Sequence, residues 1–185
     1  ELLVKNSIPH PKSAIMDVNS DSLPNIDYPF WIKRGDSHAM VKEDVCYVTD
    51  EDEANLVLND FKMRNIPTAV LNEHLQGDLI KFYGVYGTGV FFWFYPSPCK
   101  FGLEAINGEA KGFSFEEEEL KKQCDRASAI LNVPIYGGDC VVSNDGTIKI
   151  IDFNDWPSFA RCREEAGKYI AAYIIEQAKN SKRLK

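Results

Sequence analysis

The sequence has 185 residues, of which 44% are hydrophobic and 26% are charged, and its formal net charge is −7. A chain of this length and composition can bury a core as one globular domain or as two small lobes. The acidic charge argues against nonspecific binding to nucleic acid or acidic membranes, and no apolar run approaches the roughly twenty residues needed to cross a bilayer. We therefore expect neither nucleic acid nor membrane among the partners.

The cysteines are odd in number, widely spaced and without a CxxC pair. This usage favours reduced thiols that serve as small core residues over disulfides or a zinc site. It predicts a reducing compartment, and we expect a cytoplasmic protein. The cysteines are Cys46, Cys99, Cys124, Cys140 and Cys162.

The first half of the chain predicts a small lobe of strands and one helix. Its strands are short hydrophobic runs, and its helix has an acidic first turn that suits the helix dipole. A polar loop opened by Gly35 follows the first strand. The strands are predicted at residues 28–33, 45–48 and 68–71, and the helix runs from a cap at Thr49 to about Arg64.

The second half predicts another small lobe. Two antiparallel strands lead through a loop region to a helix with a capping box at Ser114 and Glu117, then to a hairpin and a last helix. The strands are predicted at residues 78–85 and 89–95, and the helices at about 114–131 and from about 159 onward. The whole chain is therefore expected to be α+β, with lobes at residues 1–75 and 76–185.

The hairpin carries polar side chains. Asp145-Gly146 is a favoured two-residue turn, because both positions tolerate the positive φ of a type I′ turn. Such a turn pairs 141 with 150 and places Asp139 opposite Asp152. Asn154 shares their face, because side chains alternate along a strand with period two.

Two carboxylates that face each other across a strand pair repel. A carboxamide oxygen beside them makes a hard cation with oxygen ligands, Mg²⁺ or Mn²⁺, the favoured explanation. The alternative is a hairpin whose acids simply face water. We predict a metal site at Asp139, Asp152 and Asn154, which indicates metal-assisted phosphoryl chemistry.

The order of these features resembles the ATP-grasp superfamily over nearly the whole chain. The resemblance lies in Ile32-Lys33-Arg34-Gly35, in the segment 70–77 and in the acids and asparagine of the hairpin. It implies an α+β fold in which two lobes with antiparallel sheets sandwich ATP. It also implies an upstream acceptor-binding domain, which we expect to be absent from this chain.

The resemblance implies nucleotide contacts from the first lobe. Lys33 would meet the α- and β-phosphates of ATP, and the Gly35 loop would close over the phosphates. His38 would reach a transferred phosphate, unless it is an ordinary polar loop residue. The adenine and ribose would be bound by the inter-lobe segment Asn72, Glu73, His74, Leu75 and Gln76.

In the second lobe, the resemblance makes Asp139, Asp152 and Asn154 the metal ligands. Lys81 would touch the γ-phosphate or the acceptor, with an ordinary strand lysine as the equal alternative. Arg161, predicted in the first turn of the last helix, opposes the helix dipole, which suggests either an anionic partner or a salt bridge to a neighbouring glutamate. The apolar walls for adenine are expected at Ile32, Phe82 and Ile151.

Three functions fit these features. The first is a carboxylate-amine ligase, in which ATP phosphorylates a carboxylate and an amine then attacks it. The second is a small-molecule kinase, because Asp36-Ser37-His38-Ala39-Met40 and the Asp-x-Asn form of residues 152–154 locally resemble inositol tris/tetrakisphosphate kinases. The third is a non-catalytic nucleotide-binding module. We expect ATP, Mg²⁺ and a small-molecule acceptor as ligands, with the ligase as the preferred function.

Overall fold

The structure, a computed structural model, describes residues 2–97 and 103–183. These residues form two compact units. The N-terminal unit contains residues 11–76 and 103–109, and the C-terminal unit contains residues 2–10, 77–97 and 110–183. Each unit has a four-stranded antiparallel sheet, so the predicted α+β class is confirmed.

The sheet of the N-terminal unit consists of β1 (Ser13–Asp17), β2 (Phe30–Arg34), β3 (Val45–Val48) and β4 (Thr68–Glu73), in the order β1-β4-β2-β3. Its long helix is α2 (Glu51–Met63). Ile32, Leu71 and Phe61 are fully buried in the core that joins α2 to one face of the sheet. Because neighbouring strand residues point to opposite faces, Lys33 lies on the face away from this core.

The predicted cap of α2 is wrong by one residue. Asp50 is the N-cap, and its side chain accepts a hydrogen bond from the backbone N–H of Glu53 at 2.9 Å. The backbone N–H and the hydroxyl of Thr49 donate instead to the Glu53 carboxylate, at 2.8 and 2.9 Å. Both carboxylates lie at the positive end of the helix dipole, which favours this arrangement.

The sheet of the C-terminal unit consists of β5 (Asp78–Val85), β6 (Val90–Phe94), β7 (Ile135–Val142) and β8 (Ile148–Asp155), in the order β6-β5-β7-β8. One face packs on α4 (Glu117–Leu131) through a core that includes Phe82, Cys140 and Leu120. The other face packs at one end on α5 (Arg163–Arg183), where Val85 and Ile135 meet Ala166. The short helices are α1 (Leu2–Lys5) and α3 (Leu103–Asn107).

Two helix starts were predicted too early. The capping box at Ser114 and Glu117 is wrong, because α4 begins at Glu117 itself. The buried carboxylate of Asp78 accepts hydrogen bonds from the backbone N–H groups of Lys111 and Phe113, at 2.7 and 2.8 Å, in the extended segment before α4. The last helix begins at Arg163 rather than near Phe159, whose φ of +48° is incompatible with a right-handed helix.

The hairpin of β7 and β8 keeps the predicted pair but reaches it differently. The connecting loop has three residues, 144–146, and its left-handed residue is Gly146 (φ +80°). The predicted pair of 141 with 150 is therefore wrong, since Val141 pairs with Lys149. A bulge then lies between the pairs Cys140–Ile150 and Asp139–Asp152, with Ile151 as the extra residue of β8. This extra residue restores the predicted pair of Asp139 with Asp152.

Within the described residues, no helix combines the length and apolarity needed to span a membrane. Cys124 and Cys140 are buried free thiols, and burial raises the pKa of both. Cys46 and Cys162 are half-buried free thiols, while Cys99 lies outside the described residues.

Candidate active site

Three charged side chains lie side by side on one face of the C-terminal sheet. Lys81 of β5 is directly opposite Asp139 of β7, and Asp139 is directly opposite Asp152 of β8. We call these three residues, together with Asn154 two positions after Asp152 on the same face of β8, the polar row. Phe94 of β6 continues the same line beyond Lys81. Directly paired residues in antiparallel strands have their Cβ atoms roughly 4.5–5.5 Å apart, so the ladder alone brings these groups together.

Both carboxylates of the polar row accept hydrogen bonds, one across strands and one within β8. The Lys81 ammonium donates to both carboxylate oxygens of Asp139, at 2.6 and 2.9 Å. The Asn154 amide donates to Asp152 at 2.6 Å. The side chains of Lys81 and Asp139 are 37% and 21% exposed, so the ion pair is neither fully solvated nor sealed. These contacts offset the repulsion that two facing carboxylates would otherwise suffer.

The residues of the polar row fit a hard divalent cation. The two carboxylates and the amide of Asn154 supply the oxygen donors that Mg²⁺ and Mn²⁺ prefer. Within residues 2–97 and 103–183, no group of three His, Cys, Asp or Glu side chains could hold a metal. The predicted ligands Asp139, Asp152 and Asn154 are not such a group, because Asn154 would bind through an amide oxygen.

A short segment, residues 156–161, crosses the same face of the sheet; we call it the crossing segment. Pro157 lies against Gly137, where an added Cβ would be 2.8 Å from the proline Cγ and 2.6 Å from Tyr83 Cδ1. Gly137 pairs with Asn154. Further along the segment, the ring of Phe159 lies 5.1 Å from that of Tyr83. The crossing segment therefore follows the line of the polar row, one side-chain step away along the strands.

Arg161 ends the crossing segment above the apolar end of this line. Its guanidinium lies 4.4 Å from the ring centroid of Phe94 and donates to Tyr95 O (3.3 Å) and Ser97 Oγ (3.1 Å). Arg161 precedes α5, so the prediction that it lies in the first turn of the helix is wrong. Because it is exposed and is held by neutral groups and an aromatic ring, it can still bind an anion on the site face.

In the N-terminal unit, Lys33 lies half-buried at the end of β2, and the loop 35–41 follows directly after Arg34. Gly35 closely approaches β4: its N–H donates to Thr68 O at 2.8 Å, and an added Cβ would lie 2.9 Å from Thr68 Cγ2. His38 is exposed, and its carbonyl accepts a weak hydrogen bond from Ser37 Oγ at 3.3 Å.

An acidic side chain anchors each end of the loop. The sequence did not indicate this role for either acid. Asp36 pairs with Arg34, and this hydrogen bond lowers the pKa of Asp36 and raises that of Arg34. Asp44 is fully buried and accepts from Met40 N at 2.7 Å and Val41 N at 3.3 Å. Burial alone would raise the pKa of Asp44, but these N–H donors and an ion pair with the Arg64 guanidinium lower it.

The predicted adenine segment is bonded to its own unit. Asn72 donates to Ser13 Oγ at 2.6 Å, and Glu73 N donates to Lys12 O at 2.9 Å. The Leu75 carbonyl accepts from Asn107 Nδ2 at 2.9 Å. These bonds fix the segment at the C-terminal end of β4, next to β1 and α3.

The His74 ring lies between the side chains of Trp31 and Gln76. The Trp31 indole, which can only donate, lies 3.2 Å from His74 Nδ1, so this nitrogen must be the unprotonated one. His74 Nε2 then carries the proton, and the Gln76 amide nitrogen that lies 2.7 Å from it is also a donor, so the amide must turn its oxygen to His74 to accept this proton. Burial lowers the pKa of His74, and a hydrogen bond with Asn107 opposes that shift. The neutral ring with the proton on Nε2 is therefore the form that this environment favours.

The structure corrects two of the predicted apolar walls. Ile32 and Phe82 are fully buried in the cores that join the sheets to helices, so neither presents its side chain to a ligand. Both were chosen as apolar strand residues, and sequence alternation did not reveal which face each helix covers. Ile151 is half-buried and is the extra residue of the β8 bulge.

Comparison with solved structures confirms the predicted ATP-grasp fold. An L-amino acid ligase from Bacillus licheniformis matches with a TM-score of 0.63 at 16% identity, over 87% of this chain and 40% of that chain. A D-alanine-D-alanine ligase from Helicobacter pylori matches with a TM-score of 0.59 at 17% identity, over 84% of this chain and 49% of that one. The corresponding ligase from Bacillus anthracis has a TM-score of 0.62 at 14% identity, over 92% of this chain and 60% of that one.

The chain therefore has an ATP-grasp fold and spans about half the length of these ligases. No protein-family model matches the sequence, and no curated protein matches it. The likeness is thus one of fold, at sequence identities too low to transfer an activity.

Proposed function

We propose that the protein is an ATP-dependent carboxylate-amine ligase. The observation that carries this proposal is the polar row, in which three neighbouring strands place two acids, an amide and a lysine on one face of the sheet. The fold supports the same proposal, since solved structures similar to this chain include an L-amino acid ligase and D-alanine-D-alanine ligases, one of them in complex with ATP.

In the proposed reaction, a substrate carboxylate oxygen attacks the γ-phosphorus of ATP, and ADP leaves with the electrons of the broken bond. The amine of a second substrate then attacks the acyl phosphate, loses a proton and expels phosphate, which leaves an amide. Phosphoryl transfer requires mainly positioning and charge stabilisation. The protein would supply both through side chains that strand pairing places next to one another.

The residues of the C-terminal unit have distinct proposed roles. Asp139, Asp152 and Asn154 would hold Mg²⁺, or Mn²⁺, which neutralises phosphate charge when bound. Lys81 would contact the transferred phosphoryl group or the acceptor. Arg161, fixed above Phe94, would bind an anionic group of a substrate.

The N-terminal unit would contribute nucleotide contacts. Lys33 would contact the α- and β-phosphates, and the backbone of the Gly35 loop would cover them, with His38 close to the transferred group. The segment from Asn72 to Gln76 would bind adenine through backbone groups and the ribose through a polar side chain. Ile151, in the C-terminal unit, would supply an apolar contact to adenine. In this proposal His74 and Gln76 present a fixed hydrogen-bonding pattern, because Trp31 sets the tautomer of His74.

The test is ADP release from Mg-ATP against a panel of carboxylic acids, amines and polyols, with hydroxylamine added to trap an acyl phosphate as a hydroxamate. A ligase requires a carboxylate for ADP release and yields the hydroxamate of that acid. Release of ADP with a polyol and no hydroxamate would show a kinase instead. Nucleotide binding without ADP release under any condition would show a non-catalytic module.

A further inference from the structure

Lys81 occupies the carboxylate on which the proposed metal depends. Its ammonium spans both oxygens of Asp139, at 2.6 and 2.9 Å, and the strand pair of β5 and β7 fixes the two residues opposite each other. We infer that the Lys81 ammonium takes the place of the metal ion at Asp139 in the metal-free protein, and that the two cations exchange when the metal binds. This exchange rests on the metal site of the proposed function. Metal binding and withdrawal of the lysine from Asp139 are then a single event.

The distances explain why the two cations exclude each other. A Mg²⁺ ion binds a carboxylate oxygen at about 2.0–2.1 Å, so an ion on Asp139 would lie within roughly 5 Å of an ammonium that keeps its present hydrogen bond. Both are positive, and the pair is only partly exposed, so water screens their repulsion incompletely. The ammonium must therefore leave at least one oxygen when the ion binds.

Asn154 changes with Lys81. Its amide nitrogen donates to Asp152 at 2.6 Å, whereas a metal ligand must present the amide oxygen. A half-turn of the amide exchanges the two atoms without moving the strand. In the metal-free arrangement an ammonium thus pairs with Asp139, and an amide N–H donates a hydrogen bond to Asp152.

The exchange has a functional consequence. An ammonium displaced from Asp139 remains on the same strand, in the line between the acids and Phe94. It can then pair with a phosphate oxygen of the ATP that the proposed reaction brings to this face. Lys81 would acquire its phosphate-binding role only after the metal had bound, which disfavours phosphate binding in the absence of metal.

The exchange predicts that removal of Lys81 strengthens metal binding. Binding of Mn²⁺ without nucleotide, measured from the loss of the free-ion signal in electron paramagnetic resonance, should become roughly five- to tenfold tighter in Lys81→Met, because no ion pair has to be broken. Lys81→Arg keeps a cation on Asp139 and should not bind Mn²⁺ more tightly than the wild type.

The matched control is Lys121→Met. Lys121 lies in the same unit, forms a 2.5 Å ion pair with Asp125, and its replacement changes the net charge equally. Tighter binding in Lys81→Met but not in Lys121→Met separates the exchange from a general charge effect. Equal affinity, or weaker affinity, in a folded Lys81→Met protein would overturn the exchange.

A separate variant keeps the exchange and the proposed function distinguishable. If Asp139→Asn does not weaken Mn²⁺ binding, the metal assignment itself is wrong, and the exchange fails with it. If Asp139→Asn weakens binding while Lys81→Met leaves it unchanged, the metal site stands and only the exchange is wrong. Circular dichroism of each variant shows whether the sheet is intact.

Discussion

The polar row and the loop 35–41 present charged groups in opposite ways. In the polar row, the ion pair joins residues of neighbouring strands that are far apart in sequence: Lys81 bonds to Asp139, 58 residues later. In the loop, the bonds are local, from Arg34 to Asp36 and from Met40 to Asp44, and residues between them are exposed. Strand pairing builds a fixed array, whereas anchored ends leave a loop that can close over a ligand.

The first test of this comparison adds one carbon atom to β7, at Gly138 within the hairpin. A Cβ at position 138 would lie 2.8 Å from Phe82 Cζ and would also clash with the Asp152 carbonyl oxygen. Gly138→Ala should therefore lower the free energy of unfolding by more than about 3 kcal/mol, because backbone cannot yield as a side chain can. Urea unfolding measures this change.

The control for that variant is Gly167→Ala in α5, where an added Cβ meets nothing within 4 Å. The control should stabilise the protein by up to about 1 kcal/mol, as expected for alanine in a helix. A Gly138→Ala protein as stable as the wild type would show that the ladder is not rigid at the polar row.

The second test removes the anchor of the loop. Asp44→Asn should lower the free energy of unfolding by about 2–3 kcal/mol, because the buried carboxylate bonds to two N–H groups and pairs with Arg64. The pKa of Asp44 is below its ordinary value of 3.8 in the folded protein, so its contribution is present above pH 3.8 and lost as pH falls below it.

Acid titration of stability checks this sign. The wild type should lose stability relative to Asp44→Asn as the pH falls below about 4. Asp36→Asn, at the exposed end of the loop, should change little. If both variants behaved alike, the two anchors would be equivalent and the buried one would have no special role.

The third test concerns the lysine at the start of the loop. Lys33→Met should weaken Mg-ATP binding by roughly 1.5–3 kcal/mol, because a charge-assisted contact with phosphate is lost. Mg-ATP should raise the melting temperature of the wild type more than AMP does, and Lys33→Met should reduce only the ATP effect. Lys62→Met, an exposed lysine of α2, is the control. An unchanged ATP shift in Lys33→Met would remove Lys33 from the nucleotide site.

The smallest expected effect is at His74. Its pKa is lowered by burial, so the unfolded chain binds more protons below its ordinary value of 6.5, and stability falls as the pH falls through that value. Protonation of Nδ1 also breaks the bond from Trp31. The loss should be no more than about 1 kcal/mol, since His74 is only partly buried and solvent weakens the effect. Urea unfolding at pH 7.5 and 5.5 should show a smaller pH dependence for His74→Gln, and equal dependence would contradict the lowered pKa of His74.

The sequence allowed the facing acids to be predicted but not the route that brings them together. Period-two alternation indicates that Asp152 and Asn154 share a face, and the turn signal locates the hairpin. The alternation does not show that the loop has three residues or that Ile151 forms a bulge, and these two differences of one residue cancel at Asp139 and Asp152. Loop and bulge depend on the twist and packing of the whole sheet.

Contacts between distant residues explain the other errors. Asp78 holds Lys111 and Phe113 in an extended segment, so the local capping signal at Ser114 does not start α4. The burial of Asp44 depends on Arg64, which lies in the chain twenty residues later. No local pattern marks an acid whose partners are distant in sequence, and a run of charges is ordinarily interpreted as solvated.

The central claim is that the acids of the polar row support metal-dependent chemistry on ATP. The most direct measurement is Mg²⁺-dependent ADP release by Asp139→Asn and Asp152→Asn, compared with Asp145→Asn at the tip of the same hairpin. Each variant of the row should lose about a hundredfold or more in turnover, whereas Asp145→Asn should keep it. Wild-type turnover at saturating Mg²⁺ in either variant of the row would contradict the account.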